Sequence, residues 1–312
     1  MNIKKYLVTI ADLELILKSY FTNFGINEKS AQTFIKLRYE VLVNEKSLWS
    51  VELRDYEKPV GSAVLCKRTL ICLSTPLTTS FYSQIWIEPE YRGRGYLSLL
   101  MKELQSIENQ IDSDAAIVIA RKAVGSLYTN YGFYGFSKFP IVVIARNKLV
   151  SVNQENDTTD LYSIQNAFAS TYGSQETHFL RSREFWVAIL ENTQSQVMQL
   201  KSSKISEVFF YYIVYLGEVV EIASQNDSIW LEIIDFLIIS GMHTFRINEK
   251  HPAFKALLTR NATYTVRPEP REGHMIRINT KDVTSKQTRY QMTQLQKIIS
   301  EMQLDILLLD QW

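Results

Sequence analysis

The stretch Ile85–Leu97 constrains this chain more than any other. Ile85-Trp86-Ile87 ends an apolar run, Phe81–Ile87, that reads as a strand stopped by Pro89. The basic turn Arg92-Gly93-Arg94-Gly95-Tyr96 follows. Leu97, Leu100, Met101 and Leu104 then recur at i, i+3, i+4 and i+7, so a helix is amphipathic from its first turn. The first turn of a helix presents unpaired N–H groups and the positive end of the helix dipole. Glycine lets the backbone approach an anion closely, and Arg92 and Arg94 add charge. Residues Arg92 to Ser98 therefore suit a pyrophosphate. The turn is neither a Walker loop, lacking Gly-Lys-Ser/Thr, nor a dinucleotide fingerprint, lacking the third glycine. Taken alone, such a segment is as readily a plain turn.

Around it the first half alternates strand-like and helix-like segments. Lys4–Ile10 reads as a strand, and Asp12–Phe24 and Lys29–Val43 as helices, the second with Ala31, Phe34, Ile35, Val41 and Leu42 on one face. Leu48–Asp55 and Pro59–Lys67 pair around Tyr56-Glu57-Lys58. Beyond the loop helix, Ala115–Ala120 is a short apolar strand, Gly125–Tyr131 a short helix ended by Gly132, and Tyr134–Arg146 the closing strands. The polar, aperiodic run Ser151–Asp160 marks a boundary. In the second half, Leu161–Tyr172 and Arg183–Asn192 read as helices and Val208–Tyr215 with Val219–Ser224 as a hairpin. Ile229–Ile239 is a helix, Thr244–Ile247, Tyr264–Arg267 and Met275–Ile278 are short strands, and Gln287–Met302 closes the chain as a helix. Strand pair, helix, strand loosely repeats the first half. The expectation is an α/β (α+β) protein of two tandem domains, 1–150 and 155–312, each a mixed sheet flanked by helices.

The bulk numbers agree with a globular protein: 312 residues, 46% hydrophobic, 21% charged and a net charge of +1. That balance lacks the basic excess of a nucleic-acid or anionic-membrane surface. Cys66 and Cys72 show no CxxC spacing, and His178, His243, His251 and His274 are scattered, so neither a disulfide scaffold nor a metal site is expected. The N-terminus, interrupted by Asp12 and Glu14, is no signal peptide, and the longest fully apolar run, Val208–Leu216, is too short to span a bilayer. A cytoplasmic protein is expected.

The loop resembles motif A of the GNAT superfamily of N-acetyltransferases, Arg/Gln-x-x-Gly-x-Gly/Ala: Arg92 and Gly95 match, and Leu97 stands where Gly or Ala is usual. Downstream, Leu127-Tyr128-Thr129-Asn130-Tyr131-Gly132-Phe133 resembles the family's Leu-Tyr-x-x-x-Gly-Phe signature, one helix and one strand away. With Leu97 in place, the loop is similar to that of the enhanced-intracellular-survival (Eis) acetyltransferases. Phe179–Trp186 resembles their Arg-x-x-x-x-Trp segment, and Gly217–Ile222 and His274–Ile278 resemble parts of their degenerate second acetyltransferase domain. Their sterol-carrier-like third domain is not expected in a chain that stops at Trp312.

This resemblance implies an acetyl-CoA-dependent N-acetyltransferase acting on a small-molecule amine, with the homo-oligomeric habit of the Eis-like proteins. Backbone groups of Ile85, Trp86 and Ile87 would bind the pantetheine arm and face the thioester oxygen. Arg92, Gly93, Arg94, Gly95, Tyr96, Leu97 and Ser98 would hold the pyrophosphate. The amine attacks directly, and Tyr128 protonates the leaving thiolate; the plain alternative for Tyr128 is a buried aromatic capping its short helix. The base that deprotonates the amine stays open among Glu88, the terminal carboxylate of Trp312 and a water relay. The second half has no glycine-arginine turn after its hairpin, only Gln225-Asn226-Asp227, so it is not expected to bind coenzyme A. Two further readings stand beside this one: a non-catalytic acyl-CoA-binding regulator, and an acetyltransferase of protein lysines.

Overall fold

The computed structural model describes residues 1–27, 29–72, 74–121, 125–133, 140–144, 160–173, 177–192, 198–247, 251–259, 264–268 and 272–279. The chain begins β1 (Asn2–Leu7), α1 (Ile10–Phe24), α2 (Lys29–Asn44), β2 (Leu48–Asp55), β3 (Lys58–Cys72), β4 (Thr75–Ile87), α3 (Tyr96–Gln110), β5 (Ala115–Arg121), α4 (Gly125–Thr129) and β6 (Pro140–Ile144). It continues α5 (Leu161–Tyr172), β7 (Thr177–Phe179), α6 (Arg183–Asn192), β8 (Met198–Ile205), β9 (Val208–Tyr215), β10 (Glu218–Ser224), α7 (Trp230–Ile239), β11 (Thr244–Arg246), α8 (Pro252–Thr259), β12 (Tyr264–Pro268) and β13 (Glu272–Ile278). The expected closing helix and the polar boundary segment before Asp160 lie outside the described residues, as does Trp312.

The described residues form two compact units, and neither is contiguous in sequence. The first holds the chain up to Phe133 together with β13; the second holds β6 and the chain from Asp160 to Pro268. The expected division at 150–155 therefore differs from the packing. The reason is edge pairing. In the first sheet, order β1-β2-β3-β4-β5-β13, the free edge of β5 pairs antiparallel with β13 from Glu272↔Arg121 to Ile278↔Ala115. In the second, order β12-β6-β11-β10-β9-β8, β6 pairs antiparallel with β11 and β12. His274–Ile278, read from sequence as part of the second domain, thus completes the first sheet.

Along each strand order runs a parallel pair, β4–β5 in the first and β10–β11 in the second, joined by a crossover helix, α3 and α7. The other neighbours in both orders are antiparallel. The repeat that the sequence only suggested is thus visible in strand direction. In the first unit α3 packs on β2, β3 and β4. Its Leu100, Met101, Leu104 and Ile107 are fully buried against Val51, Leu53, Leu65, Tyr82 and Val118; each such leucine contributes about 1.5–3 kcal/mol. In the second unit Trp230, Ile233, Ile234 and Leu237 of α7 cover Phe210, Tyr212 and Ile222. Among the described residues no helix is long and apolar enough to cross a membrane.

Some bounds differ from the sequence reading. Helix α1 starts at Ile10 and takes the end of the expected first strand, because the Asp12 carboxylate accepts from the Thr9 amide (3.0 Å) and hydroxyl (2.6 Å) and caps the helix there. The β3–β4 hairpin is longer than expected, pairing from Gly61↔Ile87 out to Cys72↔Thr75. Strand β8, Met198–Ile205, is polar enough to have passed as loop, yet it pairs along its whole length with β9.

Candidate functional site

The parallel pair β4–β5 stays in register only from Thr79↔Ala115 to Tyr82↔Val118. Beyond that point β4 runs on to Ile87 and β5 to Arg121, and among the described residues no further pairing joins them. The two strands separate, and facing backbone groups of Ser83–Ile87 are left outside the β4–β5 ladder. On its other side β4 stays paired to β3, but with a bulge: Ser83 opposes Val64 and Trp86 opposes Ser62, so Gln84 and Ile85 together oppose Ala63. Gln84 takes φ = 52°, a left-handed conformation that costs a non-glycine residue of order 1–3 kcal/mol. The neighbouring helix holds it there. The buried Gln84 amide donates to the phenol oxygen of fully buried Tyr39 on α2, which also lies 3.3 Å from Ser83 Oγ. Burial first, and the nearby Cys66 second, push the Tyr39 phenol well above its ordinary value, so it stays neutral. A bulge re-aims the backbone at such a place; Ile85 is the residue re-aimed. Sequence could not show this, since Gln84 carries no mark of a positive φ.

The loop leaves β4 through Glu88, a short 3-10 turn at Pro89–Tyr91, and extended Arg92. Gly93 (φ 74°) and Gly95 (φ 80°) are both left-handed, and a Cβ on either would meet nothing within 4 Å. Glycine is needed here for its dihedrals, and the space beside it is open. Gly95 caps α3, and the amides from Gly93 to Leu97 find no backbone acceptor among the described residues. The loop is pinned from below: Tyr91 Oη donates to Asp55 on β2 at 2.7 Å, and Arg94 stacks over the Tyr91 ring at 5.5 Å. Arg92 Nε donates to the Ile87 carbonyl at 2.9 Å. Of the three strand residues expected to offer backbone groups, Ile87 thus has its carbonyl occupied in this structure, and its guanidinium partner is exposed. Leu97 packs against the core cluster, while Ser98 is exposed and bonds through its hydroxyl to Tyr131 Oη at 2.9 Å.

Tyr128 belongs to the same core cluster as Leu100 and Met101, with its ring edge-on to Phe133. Its carbonyl accepts from the amides of Tyr131 (3.0 Å) and Phe133 (3.2 Å). This tight turn is possible because Gly132 has φ = 80°. Burial pushes the phenol up to about 12, so the hydroxyl keeps its proton through the neutral range. Glu88 is half-exposed at the end of β4, and its amide donates to the Val60 carbonyl at 2.9 Å. No group of His, Cys, Asp or Glu that could hold a metal ion exists among the described residues. In the first unit Ile85, Ile87, Tyr96, Leu97 and Tyr128 thus share one hydrophobic cluster, with Arg92–Gly95 and Ser98 exposed in the loop between them.

The second unit has the same parallel pair but not the same cleft. There β10 and β11 share one register pair, Val219↔Phe245, and the backbone of β10 beyond it is taken up by side chains. The Ile222 carbonyl accepts from Tyr172 Oη and from His251 Nε2, both at 3.0 Å. Ser224 bonds through both its N–H and its C=O to the Thr171 hydroxyl. The buried His251 ring lies against Trp230 and Tyr172 and accepts from the Ala253 amide at Nδ1, which fixes the neutral tautomer; burial lowers it to about 4. Below it, Arg181 pairs through two bonds of 2.8 Å with Glu221, both side chains fully buried, while its guanidinium lies over Phe168 and Trp186. Tyr211 Oη gives Glu221 a third bond at 2.6 Å. The Arg181–Trp186 and Gly217–Ile222 segments, singled out separately in the sequence, meet in this core.

No protein-family model matches the chain, and no curated protein does. Solved structures do match it. A GCN5-related N-acetyltransferase from Anabaena variabilis ATCC 29413 superposes with a TM-score of 0.63 at 13% identity, covering 89% of this chain and 73% of that one. The chain has the fold of the GCN5-related N-acetyltransferases. Eis1 from Mycobacterium abscessus matches at TM-score 0.57 and 12% identity over 89% of this chain and 74% of its own. Saccharomyces cerevisiae N-myristoyltransferase, solved with bound myristoyl-CoA, matches at 0.55 and 11% over 89% and 79%. Among the described residues, the parallel strands that part and the glycine loop that follows them distinguish the first unit from the second.

Proposed function

We propose that the protein is an acyl-CoA-dependent N-acyltransferase that moves an acetyl group from acetyl-CoA to a primary amine on a small molecule. The carrying observation is the first unit's parted β4–β5 pair, with five loop amides at its head that meet no backbone acceptor among the described residues, and a neutral phenol in the same unit. The amides of Gly93–Leu97, with Arg92 and Arg94, suit a pyrophosphate at the N-terminus of α3. The parted edge of β4 offers main-chain partners of the right kind for the amide-rich arm that follows. The N–H groups near the bulge, at Ile85 and Trp86, would face the thioester oxygen as negative charge builds on it. Holding the thioester beside the amine supplies much of the rate.

The amine nitrogen bonds to the carbonyl carbon, the C–S bond breaks, and Tyr128 gives its proton to the departing sulfur. Protonation of the phenol at neutral pH makes it an acid from the start. Its raised value does not spoil the match with a thiolate, because a low-dielectric site raises thiols too: burial pushes the Cys66 thiol up to about 12 in this same unit. The amine loses its proton to Glu88, to the terminal carboxylate at Trp312, or to water. Fold likeness to the acetyltransferases and to a myristoyl-CoA enzyme supports acyl-CoA as the donor.

The test is turnover of acetyl-CoA against a panel of small primary amines, following free thiol, beside a Gly95→Trp variant. Thiol release dependent on amine is expected, with at least a tenfold rise in the KM for acetyl-CoA in the variant, about 1.4 kcal/mol of binding. No amine-dependent thiol release, or an unchanged KM, removes the reading.

A further inference from the structure

Arg277, contributed by β13, is a largely buried cation in the first unit with several partners. Its Nη2 bonds Glu108 of α3 and the Tyr82 hydroxyl (3.3 Å), its Nε bonds Asn279 (3.1 Å), and its Nη1 donates to the carbonyl of Tyr131 at 3.2 Å. The guanidinium lies 4.8 Å from the Phe133 ring centre. Its side chain is 11% exposed and that of Glu108 3%. Burial pushes the Glu108 carboxyl up, and the facing guanidinium opposes this. A Cβ on Gly132 would come within 3.3 Å of the Arg277 methylenes, so the turn is shaped around this side chain as well as by its φ of 80°. Tyr131 is held at both ends: its carbonyl by Arg277, its hydroxyl by Ser98 in the first turn of α3. The same turn starts at Tyr128, whose carbonyl closes it.

We propose that Arg277 is a positioning residue for the phenol of Tyr128, fixing the turn Tyr128–Phe133 through the Tyr131 carbonyl and, through Tyr131, tying it to the pyrophosphate loop at Ser98. This rests on the reading of Tyr128 as the acid. It gives the strand that returns from the end of the chain a part in the chemistry: the acid and the cofactor loop are registered to one another by a residue lying far beyond either in sequence. A shift of about 1 Å at a proton donor can cost on the order of a hundredfold in rate.

The experiment is a double-mutant cycle on the full chain, reading kcat and the KM for acetyl-CoA. Removing Arg277 alone would strand Glu108, so the paired variant Glu108→Leu/Arg277→Met is made, since replacing both members of a buried pair by apolar residues is often tolerated. Arg277→Gln, which keeps a donor in the site, is run beside it so that the result does not depend on one variant folding. Both are expected to keep the wild-type KM within about threefold and lose about ten- to a hundredfold in kcat. In a Tyr128→Phe background the same changes are expected to cost less than about threefold more. Full multiplication of the two losses, or wild-type kcat in both Arg277 variants while Tyr128→Phe is impaired, overturns the role of Arg277 and leaves the acid in place. Wild-type kcat in Tyr128→Phe removes the acid itself, and this inference with it.

Discussion

The two parallel pairs, β4–β5 and β10–β11, are one architecture with opposite outcomes. Each lies between antiparallel neighbours, each sends a helix across from one strand to the next, and each has a bulge in its first strand, at Gln84–Ile85 and at Val220. In the first, main-chain groups of β4 lie outside the β4–β5 ladder and five amides of the following loop meet no backbone acceptor among the described residues. In the second Tyr172, His251 and Thr171 have taken them up, and the turn into α7 is closed by Asn226 accepting from the Ser228 amide and by Trp230 donating to Asp227. A ligand edge in this fold is backbone hydrogen-bonding capacity that no side chain has claimed. The same strand order with the capacity claimed is a core.

This contrast can be broken at several points. The largest effect is expected from Arg181→Met, which leaves Glu221 buried and unpaired. It should destabilise the protein by about 3–5 kcal/mol in chemical denaturation, whereas a loss under 1 kcal/mol would mean the second unit does not depend on its ion pair. Next comes Tyr128→Phe, which keeps the ring and removes only the proton: kcat should fall about a hundredfold, roughly 3 kcal/mol, with thermal stability unchanged. Similar kcat would make Tyr128 a core residue like Tyr172, and the two units would no longer differ in kind.

His251 gives the contrast a pH signature. Unfolded, its imidazole gains a proton near the ordinary value of about 6.5; folded, it resists until about 4. Between these values the unfolded state binds more protons, so stability present above pH 6.5 is lost as the pH falls toward 4, on the order of 3 kcal/mol. Melting temperatures from pH 7.5 to 4.5 should show this loss, and His251→Phe should flatten it; an equal slope in both proteins would place the titration elsewhere. The smallest change is Tyr172→Phe. It removes one of two donors to the Ile222 carbonyl and should cost about 1 kcal/mol, read as a shift in denaturation midpoint, and it should not create a second site for coenzyme A by equilibrium dialysis.

Much of the first site was legible in the sequence because its parts are local. Proline after an apolar run, two glycines among arginines, and leucines at helical spacing fix the strand end, the loop and α3 with no distant partner. The Tyr128–Phe133 turn was legible for the same reason, through Gly132. What escaped was nonlocal. Met275–Ile278 reads as a short apolar strand interrupted by Arg277, and nothing in it chooses between the edge of β5 and the second sheet. Arg277 carried no mark of its own within that strand, and Glu108, one turn beyond Leu104 on the buried face of α3, drew no notice as a partner for it. The plug in the second unit was invisible too, because Thr171 and Tyr172 at the end of α5 and His251 just before α8 lie in two distant segments that only packing brings to β10.

The exchange of β6 and β13 between the sheets also sets a timetable for the newly made chain. Strand β5 emerges from the ribosome early, but the strand that covers its edge is translated only after almost all of the second unit. Until then an apolar edge, Ala115–Ala120, stays open to pairing with other nascent chains. The protein therefore cannot mature domain by domain from its N-terminus. Among the described residues the last strand of the first unit is made after the last strand of the second, which leaves the edge of β5 uncovered in the meantime.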